Sequence, residues 1–143
     1  MPTLTLKQAN LIAEKALERA RELNLKPLGV VVLDDGGALK AAQREDGASM
    51  FRIDIATGKA WASVGMGASS RKLALAAKDN PNFFVSLAST GKGKFLPQTG
   101  GVLIKDAEGN VLGAAGASGG TGDEDEAACK WGVEAAGLFT DLG

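Results

Sequence analysis

The chain has 143 residues, 45% of them hydrophobic and 23% charged, with 16 basic against 17 acidic residues and a formal net charge of −1. That length suits one domain with one core over residues 1–143, and the balanced charge leaves no clustered cationic field for nucleic acid. No apolar run approaches the roughly 20 residues that cross a bilayer, and "MPTLTLKQAN" lacks the basic-then-apolar order of a signal peptide.

With one cysteine, no internal disulfide is available, and a cytoplasmic location is expected. There is no His and no Tyr. A Ser-His-Asp triad, a His-ligated zinc and a His general base are therefore excluded. Chemistry near neutral pH would need a perturbed carboxylate, lysine or thiol, or a bound cofactor.

Residues 5–24 are expected to form an amphipathic helix. Thr5 and Gln8 stand at capping-box spacing, and Leu6, Ala9, Ala13, Ala16, Leu17 and Ala20 recur as one apolar stripe. Pro27 ends the region because it has no N–H to donate. "LGVVVLDDGGALKAAQRE" reads as a hairpin. Val30–Leu33 has the aliphatic run of a strand buried on both faces, and Asp34–Gly37 supplies turn residues. In the return strand Leu39 and Ala41 alternate with Lys40, Ala42 and Arg44, which aims both cations to one face.

After the Asp46-Gly47 break, "SMFRIDIATGKAWASVG" predicts a helix. Phe51, Ile55 and Ala62 share one side; Arg52, Ala56, Lys59 and Ser63 share another. Arg52 and Lys59 lie two turns apart, about 10 Å by helix rise. They form either a solvated cationic edge or a face toward an anionic ligand. Residues 65–93 are less regular: "SRKLALAAK" is a short helix, Asn80-Pro81 starts another segment, and "TGKGKF" is a loop. A stretch of this kind often covers a cleft.

"GGVLIKDAEGNVLGAAGAS" is a second hairpin, with strands Val102–Lys105 and Val111–Ala117 around the turn Asp106–Asn110. Beyond Leu112 the return strand holds only Gly and Ala. Gly weakens a strand, so something approaches it closely: a ligand, a packed helix or a neighbouring subunit. The last helix starts near residue 122, with Thr121 and Glu124 at capping-box spacing and Ala127, Ala128, Trp131, Ala135 and Leu138 as its apolar side. Helix, hairpin, helices, hairpin and helix make an α+β domain with an antiparallel sheet under helical covers.

The acid run Asp123–Glu126 has two readings. Asp123 and Glu126 share a helix face and can gather at a cation, but no further oxygen ligands stand at motif spacing. Four free N–H groups and a positive dipole end account for acids in a first turn without any metal. No metal site is expected.

"GGVLIKDAEGNVLGAAGASGGTGDEDEAACKWG" resembles the signature of the GlcG/HbpS family, which includes the C-terminal domain of PduO-type proteins. "REDGASMFRIDIATGKAWAS", "LTLKQANLIAEKALERARELN" and "VVVLDDGGALKAAQR" fit the same pattern, so the likeness covers nearly the whole chain. The resemblance implies a profilin-like α/β/α sandwich with a five-stranded antiparallel sheet. It also implies homo-oligomers built from dimers, up to tetramers or octamers. Some members bind haem, which keeps haem as a cofactor candidate. Others occur beside catabolic enzymes. This chain departs from histidine-ligated members, having no His; the remaining axial candidates are Cys129, Met50, Met66, a lysine or an oxygen donor.

The preferred ligand site is a pocket lined by Gly100, Gly101, Gly116, Ser118 and Gly119, with Arg52 or Lys59 reaching in. Backbone N–H groups before a helix can bind a carboxylate or phosphate. Two functions are carried forward. One is a small-molecule or cofactor-binding accessory protein of the GlcG/HbpS type. The other is a cofactor-independent lyase or isomerase of an aromatic or short organic acid, with Lys59, Asp125 and Glu126 as acid–base candidates.

Overall fold

Two capping boxes frame the chain. The Thr5 hydroxyl accepts from the Gln8 N–H while the Gln8 side chain accepts from the Thr5 N–H, and Thr121 and Glu124 repeat the exchange. Each satisfies two N–H groups that a helix start otherwise leaves free. The computed structural model describes residues 2–143. Its elements are α1 (Leu6–Glu22), β1 (Gly29–Asp34), β2 (Leu39–Arg44), α2 (Phe51–Met66), α3 (Ser70–Asp79), α4 (Pro81–Thr90), β3 (Gly101–Lys105), β4 (Val111–Ser118) and α5 (Gly122–Ala135). No helix among the described residues is long and apolar enough to cross a membrane.

The strands form one antiparallel sheet in the order β2-β1-β4-β3. Strand alternation divides their side chains between two cores. Val30, Val32, Val102, Ile104, Ala115 and Ala117 meet the small-residue faces of α1 and α5. Val31, Leu33 and Ala114 meet Ala56 and Ala60 of α2. A register shift beside Lys40 pairs Val32 with Ala41 but Leu33 with Leu39. One extra residue therefore puts Leu39 and Ala41 on opposite faces, against the simple alternation expected of β2. Ala41 joins the α1 core while Leu39 is exposed.

The Gly/Ala strand is explained by a packed helix. Gly101 and Gly116 are direct cross-strand partners. A Cβ on Gly116 would overlap the Ala56 carbonyl oxygen, and one on Gly101 would stand 2.6 Å from the Lys59 carbonyl oxygen. The backbone of α2 thus lies directly on the sheet, which only glycine permits.

This contact also selects the buried side of α2. Ala56, Lys59, Ala60 and Ser63 face inward, whereas Phe51, expected on an apolar side, is exposed. In α5 the buried positions are Asp125, Glu126, Ala128, Cys129, Gly132 and Val133; of the expected stripe Ala128 is buried, whereas Ala127, Trp131 and Ala135 are exposed. Trp131 lies at the rim, with the Arg19 guanidinium 4.4 Å from its ring.

The sheet has four strands, not the five expected. The outer edge of β3 is closed by side chains instead of a strand. The Ser70 hydroxyl accepts from the Gly101 N–H at 2.7 Å and donates to the Gly101 carbonyl at 3.2 Å. The Ser69 hydroxyl accepts from the Leu103 N–H at 3.0 Å. Beyond them Lys105 and Phe139 exchange both backbone bonds, at 2.7 and 2.9 Å, as a single isolated bridge. The start of α3 therefore takes the place a fifth strand would occupy, and an edge free to pair with other chains is covered.

Removing one of these hydroxyls tests the edge. Ser70 is fully buried, so Ser70→Ala leaves the Gly101 N–H unpaired. A loss of about 1–3 kcal/mol is expected in denaturant unfolding, with faster amide exchange at Gly101 than elsewhere in β3.

Candidate functional site

β4 ends at Ser118 and α5 begins at Gly122, with α2 crossing above them. The gap between these elements and the segment before β3 is an open cleft of about 450 Å³. Arg52, Ile55 and Lys59 line it from α2; Leu96, Gln98 and Thr99 line it from the segment before β3. Ser118, Gly120, Thr121 and the start of α5 with Asp123 and Asp125 complete it.

An ion pair is buried in its wall. Lys59 and Asp125 have side chains only 7% and 2% exposed, with Nζ 3.1 Å from Oδ2. The ammonium also donates to the Ala117 carbonyl at 3.0 Å, and Asp125 Oδ1 accepts from the Gly120 N–H at 3.0 Å. One lysine thus joins α2, β4 and α5 where the sheet ends. Burial pushes the Asp125 carboxyl above its ordinary value; Lys59 and the Gly120 N–H pull the other way. Desolvation disfavours the charged form, and a cation or donor favours it.

The remaining acids of α5 have other partners. Arg71 of α3 donates through Nε to Glu126 at 2.9 Å and also pairs with Asp123. The face that Asp123 and Glu126 share is therefore held by a guanidinium. Arg71 is itself raised by these bonds, chiefly that to Glu126. Glu124 closes the capping box. Arg52 stands apart: it is half-buried, and its one side-chain hydrogen bond among the described residues is from a guanidinium nitrogen to the neutral Ser118 hydroxyl at 3.2 Å.

Of the residues singled out by sequence, Arg52, Lys59, Ser118 and Asp125 come together in the cleft. Glu126 is turned to Arg71. Gly100 supports the site from behind, since a Cβ there would stand 2.7 Å from the Lys59 ammonium. Gly101 and Gly116 contact the α2 backbone, and a Cβ on Gly119 would overlap the Pro27 carbonyl oxygen. Sequence reading missed Gln98, Thr99, Leu96 and Arg71. They carry no motif spacing and reach the site only through the fold.

An α+β sheet with a charged cleft at the end of its central strand is the class that fold and site define. The sequence matches the family described as haem degrading protein HbpS-like over residues 4–134, and the chain belongs to that family. By its description the family is haem-related. A protein of 15.0 kDa encoded between dhaT and dhaS in Citrobacter freundii is 29% identical over 123 residues, 86% of this chain and 84% of that protein.

Among solved structures, Klebsiella pneumoniae protein ORFY is 26% identical with a TM-score of 0.86, covering 96% of this chain and 92% of that one. A double mutant of HbpS from Streptomyces reticuli is 27% identical with a TM-score of 0.81, covering 94% and 87%. A complex of PduOC with haem is 24% identical with a TM-score of 0.86, covering 97% and 99%, a likeness of fold.

The residues of this cleft do not fit an iron-ligated haem. No His, Cys, Met or Tyr, the protein axial ligands to haem iron, lines it, and the lysine that does, Lys59, has its ammonium committed to Asp125 and the Ala117 carbonyl. Cys129 is fully buried in the α1–α5 core, where burial pushes its thiol up, away from the thiolate form. Met50 and Met66 are exposed at the two ends of α2, outside the cleft lining.

The ion pair has a direct test. Lys59→Met leaves Asp125 buried without its cation, and Asp125→Asn leaves Lys59 without its anion. Each is expected to lose about 3–5 kcal/mol at pH 7 in urea unfolding, while Lys59→Met/Asp125→Asn together lose much less than the sum. A carboxyl raised in the folded state binds its proton more tightly there, so stability falls as pH rises through that raised value. Lys59→Met lifts it further. Its deficit against the parent is therefore expected to shrink on acidification toward the carboxylate range.

Proposed function

We propose that this chain is a small-molecule-binding accessory protein whose ligand occupies the cleft between Arg52, Gln98, Thr99 and Ser118. The single observation behind this reading is how the charges are divided. The acids at the cleft are held by Lys59, Gly120 and Arg71, while Arg52 has only a neutral partner. Polar groups converging in a cleft with their own counter-charges already met describe a binding site. In this reading Lys59 and Asp125 hold the wall of the cleft and are not spent on proton transfer. The binding belongs to the haem-related family, but the iron-ligating mode is not built from this chain's cleft. Assembly into dimer-based homo-oligomers is part of the proposal.

Selective binding to the native state raises stability by about 2.7 kcal/mol at a hundredfold excess over Kd. A thermal-shift panel of haem, flavin, cobalamin and aromatic acids is expected to find a stabilising ligand among the organic acids. A panel without any shift overturns the binding reading. Titrated haemin is expected to show no narrow Soret band of a protein-ligated iron, and light scattering is expected to give a multiple of the 14.6 kDa chain.

A further inference from the structure

Resting on the cleft reading above, we infer that the ligand is a small organic monocarboxylate with a compact apolar body, and that Arg52 holds its carboxylate. A guanidinium carries five N–H donors in a planar fork suited to a carboxylate. Arg52 spends one donor on a neutral hydroxyl and has no carboxylate within ion-pair distance among the described residues. The contrast lies in the same molecule. Arg71 is divided between two carboxylates, and Arg21 pairs with Glu45 at 2.9 Å. Only Arg52 combines partial burial, a place in a cleft and an open fork.

The neighbouring charges limit the ligand to one negative charge. Asp125 is paired with Lys59 and Asp123 is drawn to Arg71; Arg52 acts on Asp125 only through space and forms an ion pair with neither. A second anionic group would find no open cation, because Lys59 and Arg71 are already engaged by carboxylates. A phosphate dianion is thus selected against. Ile55, one turn along α2 from Arg52, and Leu96 of the segment before β3 give apolar surface for the rest of the ligand. Gln98 and Thr99 of the same segment add donors and acceptors.

The test uses the full chain and a matched pair of probes, benzoate and its neutral isostere benzamide. Binding is followed through the backbone amides of Thr99, Ser118, Gly120 and Thr121 by NMR titration. Benzoate is expected to move these amides with an affinity at least tenfold above that of benzamide, and to weaken as salt rises. Arg52→Gln is expected to erase the difference between the two probes, and Arg52→Lys to lie between, having the charge without the fork.

Equal binding of benzoate and benzamide at the cleft overturns the monocarboxylate inference and leaves the cleft reading standing, as does an unchanged preference in Arg52→Gln. Silence of all four amides with both probes at millimolar concentration overturns both. The comparison of the two probes on the parent chain needs no variant to fold.

Discussion

The buried ion pair between Lys59 and Asp125 is the contact on which the rest of this structure depends. The sheet separates α2 on one face from α1 and α5 on the other, so few direct contacts can join those layers. Lys59 joins them at the sheet's end, with its ammonium on the Ala117 carbonyl and the Asp125 carboxylate. The geometry is possible because α2 lies on the Gly101–Gly116 pair without intervening side chains. A Cβ at either glycine would push α2 outward, and the lysine would lose its partner. Buried pairs of this kind are costly to break and only modestly favourable when intact. What the pair gives is position: it sets where the cleft wall stands.

From that position the charges of the cleft follow. Asp125 is drawn inward, Gly120 is tied to it, and the capped start of α5 turns its other acids toward Arg71 and the helix's own first turn. The site is therefore formed by what is left over, an unpaired guanidinium with polar and apolar walls. Membership of a haem-related family and a cleft lined by no His, Cys, Met or Tyr are compatible. The family shares a scaffold, and the chemistry at the end of the sheet is set by a handful of side chains.

Much of this was legible in the sequence, for physical reasons that can be named. Both capping boxes are local and short, so Thr5, Gln8, Thr121 and Glu124 announce them. The Gly/Ala strand signalled close approach, and a helix proved to be what approaches. Two turns of spacing put Arg52 and Lys59 on one face of α2, but their fates diverge because only Lys59 meets a buried carboxylate. Non-local contacts were not legible. The closure of β3 by Ser69 and Ser70 and the hold of Arg71 on Asp123 and Glu126 join residues far apart in the chain. The fifth strand failed for that reason, since its place is taken by two serine hydroxyls from the start of a helix.

The central claim is that Asp125 is held in a buried pair whose partner is Lys59. Its most direct test is a carboxyl ¹³C NMR titration of Asp125 in the parent chain and in Lys59→Met. The account predicts a midpoint above the ordinary aspartate range in the parent and a further upward move in the variant. The same midpoint in both proteins, or a lower one in the variant, would contradict it.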